Sequence, residues 1–131
     1  MNEQGIHMVC QQWGHTVARS LIGGWQGENI LSKFVSGRGT GVPGHIILAG
    51  LMGPDEERVN RGFNKLSDKL QTAFAFKYVY PNLPETSHIR FTNDILAKRL
   101  SHSLGYEVPK KTFLNRVDMA KRAIKLNEFG G

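Results

Sequence analysis

Residues 88 to 126 hold nine Lys/Arg against three Asp/Glu, whereas residues 1 to 87 hold eight against seven. The formal charge of +6 therefore resides almost wholly in the C-terminal third. The donors there are Lys98, Arg99, Lys110, Lys111, Thr112, Asn115, Arg116, Lys121 and Arg122. Ammonium and guanidinium groups neutralise phosphates, and Asn or Arg side chains can form paired hydrogen bonds with a base edge. A charge excess confined to one end favours a polyanionic partner held there.

Other chemistry is poorly supplied. No G-x-S-x-G or H-E-x-x-H motif occurs, and Asp55, Glu56 and Glu57, being adjacent, point in different directions on a helix. His7, His15, His45, His88 and His102 are scattered without an i, i+4 pair, and Cys10 is the only cysteine. Neither a metal site nor a disulfide framework is expected, and no cofactor is implied. The Gly39 to Gly44 stretch runs into His45 where a P-loop requires Lys followed by Ser or Thr.

The basic residues need a scaffold, and the stretch Thr92 to Lys125 has the outline of a helix-turn-helix. Phe113, Val117, Ala120 and Ile124 recur at steps of four, three and four. That spacing lays an apolar stripe along a helix beginning at Pro109, with Lys110, Lys111, Asn115, Arg116, Lys121, Arg122 and Lys125 off the stripe. Lys110 and Lys111 in the first turn oppose the helix dipole, a mismatch an external anion would relieve. In the preceding helix Thr92 is the expected N-cap, Asp94 supports the dipole, Ile95, Leu96 and Leu100 face inward, and Lys98 and Arg99 face out. Gly105 is placed to end it in the left-handed conformation. The join from Ser101 to Val108 is long for this motif, which predicts either an extended or winged turn or a first helix running on through Ser103.

Upstream, Ile6, Val9, Trp13, Val17 and Leu21 predict an amphipathic helix ending at Gly23-Gly24, with Trp13 in the core and Cys10 a small buried hydrophobe. Glu28 to Val35 is helix-capable, Gly37 to Gly44 is a glycine-rich loop, and GHIILAGLM reads as a short buried helix, with a strand as the alternative for so brief a run. Pro54 with three following carboxylates starts what should be the longest helix, carried by Val59, Phe63, Leu66, Leu70, Ala73 or Phe74, and Tyr78 to Tyr80-Pro81. Phe74, Phe76, Tyr78 and Tyr80 read as core residues rather than base-stacking platforms. Pro81 and Pro84 then bound a polar linker.

A chain of 131 residues makes one domain that buries about two-thirds of its unfolded surface. The expected fold is all-α: residues 1 to 131 form a single domain, with 1–87 a helical body and 88–126 the basic unit. No transmembrane run or signal pattern is present, so a cytoplasmic protein without a membrane partner is expected.

Several features together resemble a known family. Met8-Val9 with Trp13-Gly14, the apolar Ile46 to Met52 segment, a long helix ending at Tyr78, Ala97-Lys98-Arg99-Leu100 and Ala120-Lys121-Arg122-Ala123-Ile124 are similar to the late-gene antitermination Q proteins of lambdoid phages. The likeness is to their shorter class without a zinc-binding insertion. The C-terminal unit also resembles the C-terminal domain of bacterial sigma factors. This resemblance implies a protein of the host bacterial cytoplasm that binds a DNA element near a late promoter, two copies being one arrangement on that DNA. It would load onto paused RNA polymerase, with sigma factor as a further partner, and narrow the RNA exit channel against terminator hairpins. The glycine-rich loop and the long turn depart from that pattern.

The leading expectation is therefore a non-enzymatic antiterminator, with Arg38, Gly39 and Gly41 of the loop facing polymerase. The alternative is a helix-turn-helix repressor or activator that does not travel with polymerase. Lys111, Asn115 and Arg116 are the expected base readers and Lys121 a phosphate contact. Neutralising about four to six phosphates gives a salt slope of roughly 4 to 5.

Overall fold

Five α-helices make the architecture: α1 (Glu3–Ile22), α2 (Pro54–Asn64), α3 (Asp68–Tyr78), α4 (Asn93–Leu104) and α5 (Lys110–Phe129), with a 3-10 turn at Tyr80–Asn82. The computed structural model describes residues 2–22, 52–83 and 86–130. Among these the fold is all-helical, without a strand, and one hydrophobic core serves all five helices. The expectations for Glu28 to Val35, the glycine-rich loop and most of the 44–52 helix lie outside the described residues.

α1 buries Ile6, Val9, Cys10, Trp13 and Val17, as its periodicity predicts. Burial of each large apolar side chain contributes about 1.5–3 kcal/mol. Trp13 is also fixed in orientation, because its Nε1 donates to Asn60 Oδ1 at 3.1 Å.

The expected long helix from Pro54 to Tyr80 is instead two helices, broken at residues 65–67. Pro54, Asp55, Glu56 and Glu57 start α2 as anticipated, but the Lys65 and Leu66 N–H groups turn back to the Gly62 and Phe63 carbonyls, each at 3.1 Å. Ser67 is extended (φ −64°, ψ 160°) and begins α3. The buried Gln71 carboxamide then donates to the Phe63 carbonyl at 2.9 Å, a second bond to an acceptor that the Leu66 N–H also reaches at 3.1 Å, tying α3 to the end of α2. Packing explains why the chain breaks here. On one straight helix Phe63 and Phe74 would be about 16 Å apart along the axis. After the break their ring centroids are 5.8 Å apart, and both meet Trp13, at 4.8 and 5.2 Å.

α3 is the central helix. Gln71 through Phe76 and Tyr78 are all buried, so it is covered on nearly every side. The expected polar linker after it is a packed segment: Leu83 and Thr86 are buried, and the Thr86 hydroxyl donates to the Tyr80 carbonyl.

α4 begins and ends as anticipated. Thr92 Oγ1 accepts from the Ile95 N–H at 3.2 Å, and Gly105 closes the helix at φ 79°. Leu96, Ala97 and Leu100 are buried, while Ile95 is only half-buried. The long join resolves as a helix that continues to Leu104, leaving residues 105–109 as the turn. Ser101 pins that turn, its Oγ accepting from the Val108 N–H at 2.7 Å. Pro109 is the N-cap of α5 rather than its first helical residue, with ψ 153°. The α5 stripe Phe113, Val117, Ala120 and Ile124 is fully in the core.

Candidate nucleic-acid interface

α5 buries one face and leaves the opposite one to solvent. Lys111, Asn115, Met119, Arg122 and Leu126 are exposed and follow one another at steps of four, four, three and four, so they form a single outward stripe. Lys111 has no ion pair among the described residues. Arg122 is held by Asp118 at 3.0 Å, one turn away, with its own side chain 72% exposed. An exposed pair of this kind contributes little and can be exchanged for a phosphate. Two expected base readers or phosphate contacts, Lys111 and Asn115, thus share a face with Arg122.

At the start of α5, Lys98 and Lys110 line a cleft of about 300 Å³ between α4 and the turn, together with Asp94 and Glu107. Lys110 Nζ is 3.6 Å from Asp94. The dipole mismatch of the first turn is therefore partly relieved from within the chain, by the N-terminal carboxylate of α4. Thr112 is half-buried beside the stripe.

Three other expected contacts are turned away. Arg99 is half-buried, its Nη1 donates to the Tyr80 hydroxyl at 2.8 Å, and its guanidinium lies 5.3 Å from the Phe91 ring centroid. It joins α4 to the segment after α3 instead of facing solvent. Arg116 lies on the flank of α5 toward α3 and α4, lining a hollow of about 250 Å³ with Asp68, Leu100 and Tyr106. Lys121 lies on the opposite flank, where its charge acts on His7, Cys10 and Lys77. Helical spacing places all three off the core stripe, but Arg99 of α4 packs on Tyr80 and Phe91, and Arg116 and Lys121 sit half-buried where the flanks of α5 border neighbouring helices.

A second concave surface escaped the sequence reading. α1, α3, the 3-10 turn and the start of α4 enclose an open groove of about 660 Å³, whose polar lining includes His7, Gln11, Arg19, Lys77, Asn82 and Asn93. Lys77 Nζ donates to Asn93 Oδ1 at 2.7 Å, and His7 Nδ1 is hydrogen-bonded to the Tyr78 hydroxyl at 2.8 Å. Burial, with the Lys121 ammonium nearby, holds the Lys77 pKa below the ordinary lysine range. Burial, followed by Lys121 and Lys77, likewise lowers that of His7. Behind the groove, burial pushes the Cys10 thiol up to about 12, which keeps it a protonated packing group. No sequence signal marked this groove, because its lining comes from separate helices.

Among the described residues no group of three His, Cys, Asp or Glu side chains is placed to hold a metal ion, and no helix is long and apolar enough to cross a membrane. The chain matches no protein-family model, and neither a curated protein nor a solved structure aligns with it significantly. Arg38, Gly39 and Gly41 lie outside the described residues.

Proposed function

We propose that the protein binds double-stranded DNA through the outward stripe of α5. The observation that carries this reading is the exposure of Lys111, Asn115 and Arg122 on one face of a helix anchored by four core residues on the other. A rigid helix presenting cations around a carboxamide suits the major groove, where Asn pairs bidentately with adenine and flanking cations meet phosphates. Lys98 and Lys110, beside the turn, extend the positive edge toward the flanking backbone. Asn115 replaces Arg116 as the principal base reader, because Arg116 is on the covered flank.

On the resemblance of its residues to the antitermination Q proteins, we further propose that DNA binding serves transcription antitermination, with polymerase as the second partner. Binding of the purified protein to its cognate promoter-proximal DNA is the first test, measured by anisotropy against scrambled duplex. Loss of discrimination in Asn115→Ala, with uniform weakening in Lys111→Ala, is expected. The second test is terminator readthrough with cognate promoter and polymerase. Tight, specific binding without readthrough would remove the antiterminator role and leave a DNA-binding repressor or activator.

A further inference from the structure

We propose that the groove between α1, α3 and the start of α4 binds an unpaired nucleotide, presented as single-stranded nucleic acid or as a free nucleotide. This goes beyond duplex binding by α5 and does not depend on it.

The volume, about 660 Å³, falls within the roughly 300–1,000 Å³ of small-molecule sites. It therefore accommodates about one or two nucleotides within its walls. The lining supplies each kind of group that an unpaired nucleotide uses. Arg19 and Lys77 offer cations to a phosphate, and among the described residues Glu56 is the lone carboxylate in the lining. That carboxylate is already occupied by the Thr16 hydroxyl, which donates to Glu56 Oε1. Gln11, Gln12, Asn82 and Asn93 are carboxamides, which offer both donors and acceptors to a base edge. The exposed imidazole of His15 offers a flat face for stacking, and Phe91, covered on one side by Arg99, leaves at most its other face to the groove; stacking contributes about 1–3 kcal/mol per base in single-strand sites.

The charge arrangement points the same way. Lys77 is half-buried, its ammonium donates to the uncharged Asn93, and Lys121 stands behind it as a second cation. Asp118 and Glu3, whose carboxylates act on the neighbouring Tyr78, pair with Arg122 and Lys125 at 3.0 and 4.0 Å. A phosphate at Lys77 would supply the charge that this cluster lacks. An acidic peptide would satisfy the cations but leave the flat faces unstacked, so the observations favour a nucleotide.

The test uses the full chain and fluorescence anisotropy with a labelled eight-nucleotide oligouridylate, a labelled duplex, and unlabelled uridine monophosphate and polyglutamate as competitors. Saturable oligonucleotide binding is expected. Arg19→Ala together with Lys77→Gln should weaken it at least tenfold while changing duplex affinity less than twofold, and Lys111→Ala should do the reverse. Removing two phosphate contacts should also lower the single-strand salt slope by about 1.4. Competition by uridine monophosphate assigns the site to free nucleotides, whereas competition only by longer oligonucleotides assigns it to a single strand. Absence of saturable oligonucleotide binding, equal losses on both probes, no loss in the double variant, or polyglutamate competing as well as oligonucleotide would each overturn the proposal. Arg19 is exposed on α1, so Arg19→Ala alone, with its melting temperature checked, decides the matter should the double variant not fold.

Discussion

Gly14 of α1 packs directly against the backbone of Tyr78: a Cβ at Gly14 would stand 2.0 Å from the Tyr78 carbonyl oxygen. The contact is with main chain, which cannot rotate aside as a side chain does. Gly14→Ala must therefore separate α1 from α3. Overpacking typically costs about 1–3 kcal/mol, and a backbone clash belongs at the upper end. Thermal unfolding should show a melting temperature lower by roughly 10 °C; an unchanged value would mean that the two helices do not cross so closely.

Gly105 tests a different property. It has φ 79° and nothing within 4 Å of a Cβ, so only backbone strain opposes a side chain. Gly105→Ala is expected to cost about 1–2 kcal/mol, with Gly105→Asn milder because Asn tolerates the left-handed region. Denaturant titration that ranks Asn and Ala equally would contradict this.

Arg99 is predicted to be a stability residue. Its guanidinium donates to the Tyr80 hydroxyl and lies over Phe91. Arg99→Ala should lose about 1–3 kcal/mol. Duplex affinity, measured well below the melting transition, should change less than twofold; a larger loss would return Arg99 to the DNA face.

Glu128 links the end of α5 to α2 through Lys65 Nζ at 3.0 Å and Arg61 Nε at 3.2 Å. The hydrogen bond from Lys65, with that from Arg61, lowers its pKa from the ordinary 4.5 despite some desolvation. A depressed folded-state pKa adds stability above the unfolded value and loses it as pH falls through the folded value. The stability gap between wild type and Glu128→Gln should therefore be flat near neutral pH and close below about pH 4.5. Urea titrations across that range measure it, and a gap that widens on acidification would have the wrong sign.

For duplex DNA, removing Arg99, Arg116 and Lys121 from the interface lowers the expected salt dependence. Lys98, Lys110, Lys111 and Arg122 remain, and about 0.9 per neutralised phosphate gives a slope of roughly 3.6. Lys111→Ala and Arg122→Ala should each reduce it by about 0.9, whereas Lys121→Ala should leave it unchanged. A shallower slope in Lys121→Ala would show that its flank reaches DNA.

What the sequence by itself determined was decided within one or two helical turns. The α1 and α5 stripes, the Thr92 cap, the start at Pro54 and the left-handed Gly105 all follow from side-chain period or local backbone preference. Tertiary packing decided the rest. The break at residues 65–67 is stabilised by bringing Phe63 and Phe74 together on Trp13, a residue far away in the chain. Similarly, periodicity separates the core stripe of α5 from its remaining arc, but only the neighbouring helices determine which part of that arc is covered. Arg116 and Lys121 were thus indistinguishable from Lys111 and Arg122 by spacing, although α3 and α4 border one and α1 the other. The nucleotide-sized groove was less legible still, because His7, Lys77 and Asn93 acquire a common surface only when three helices meet.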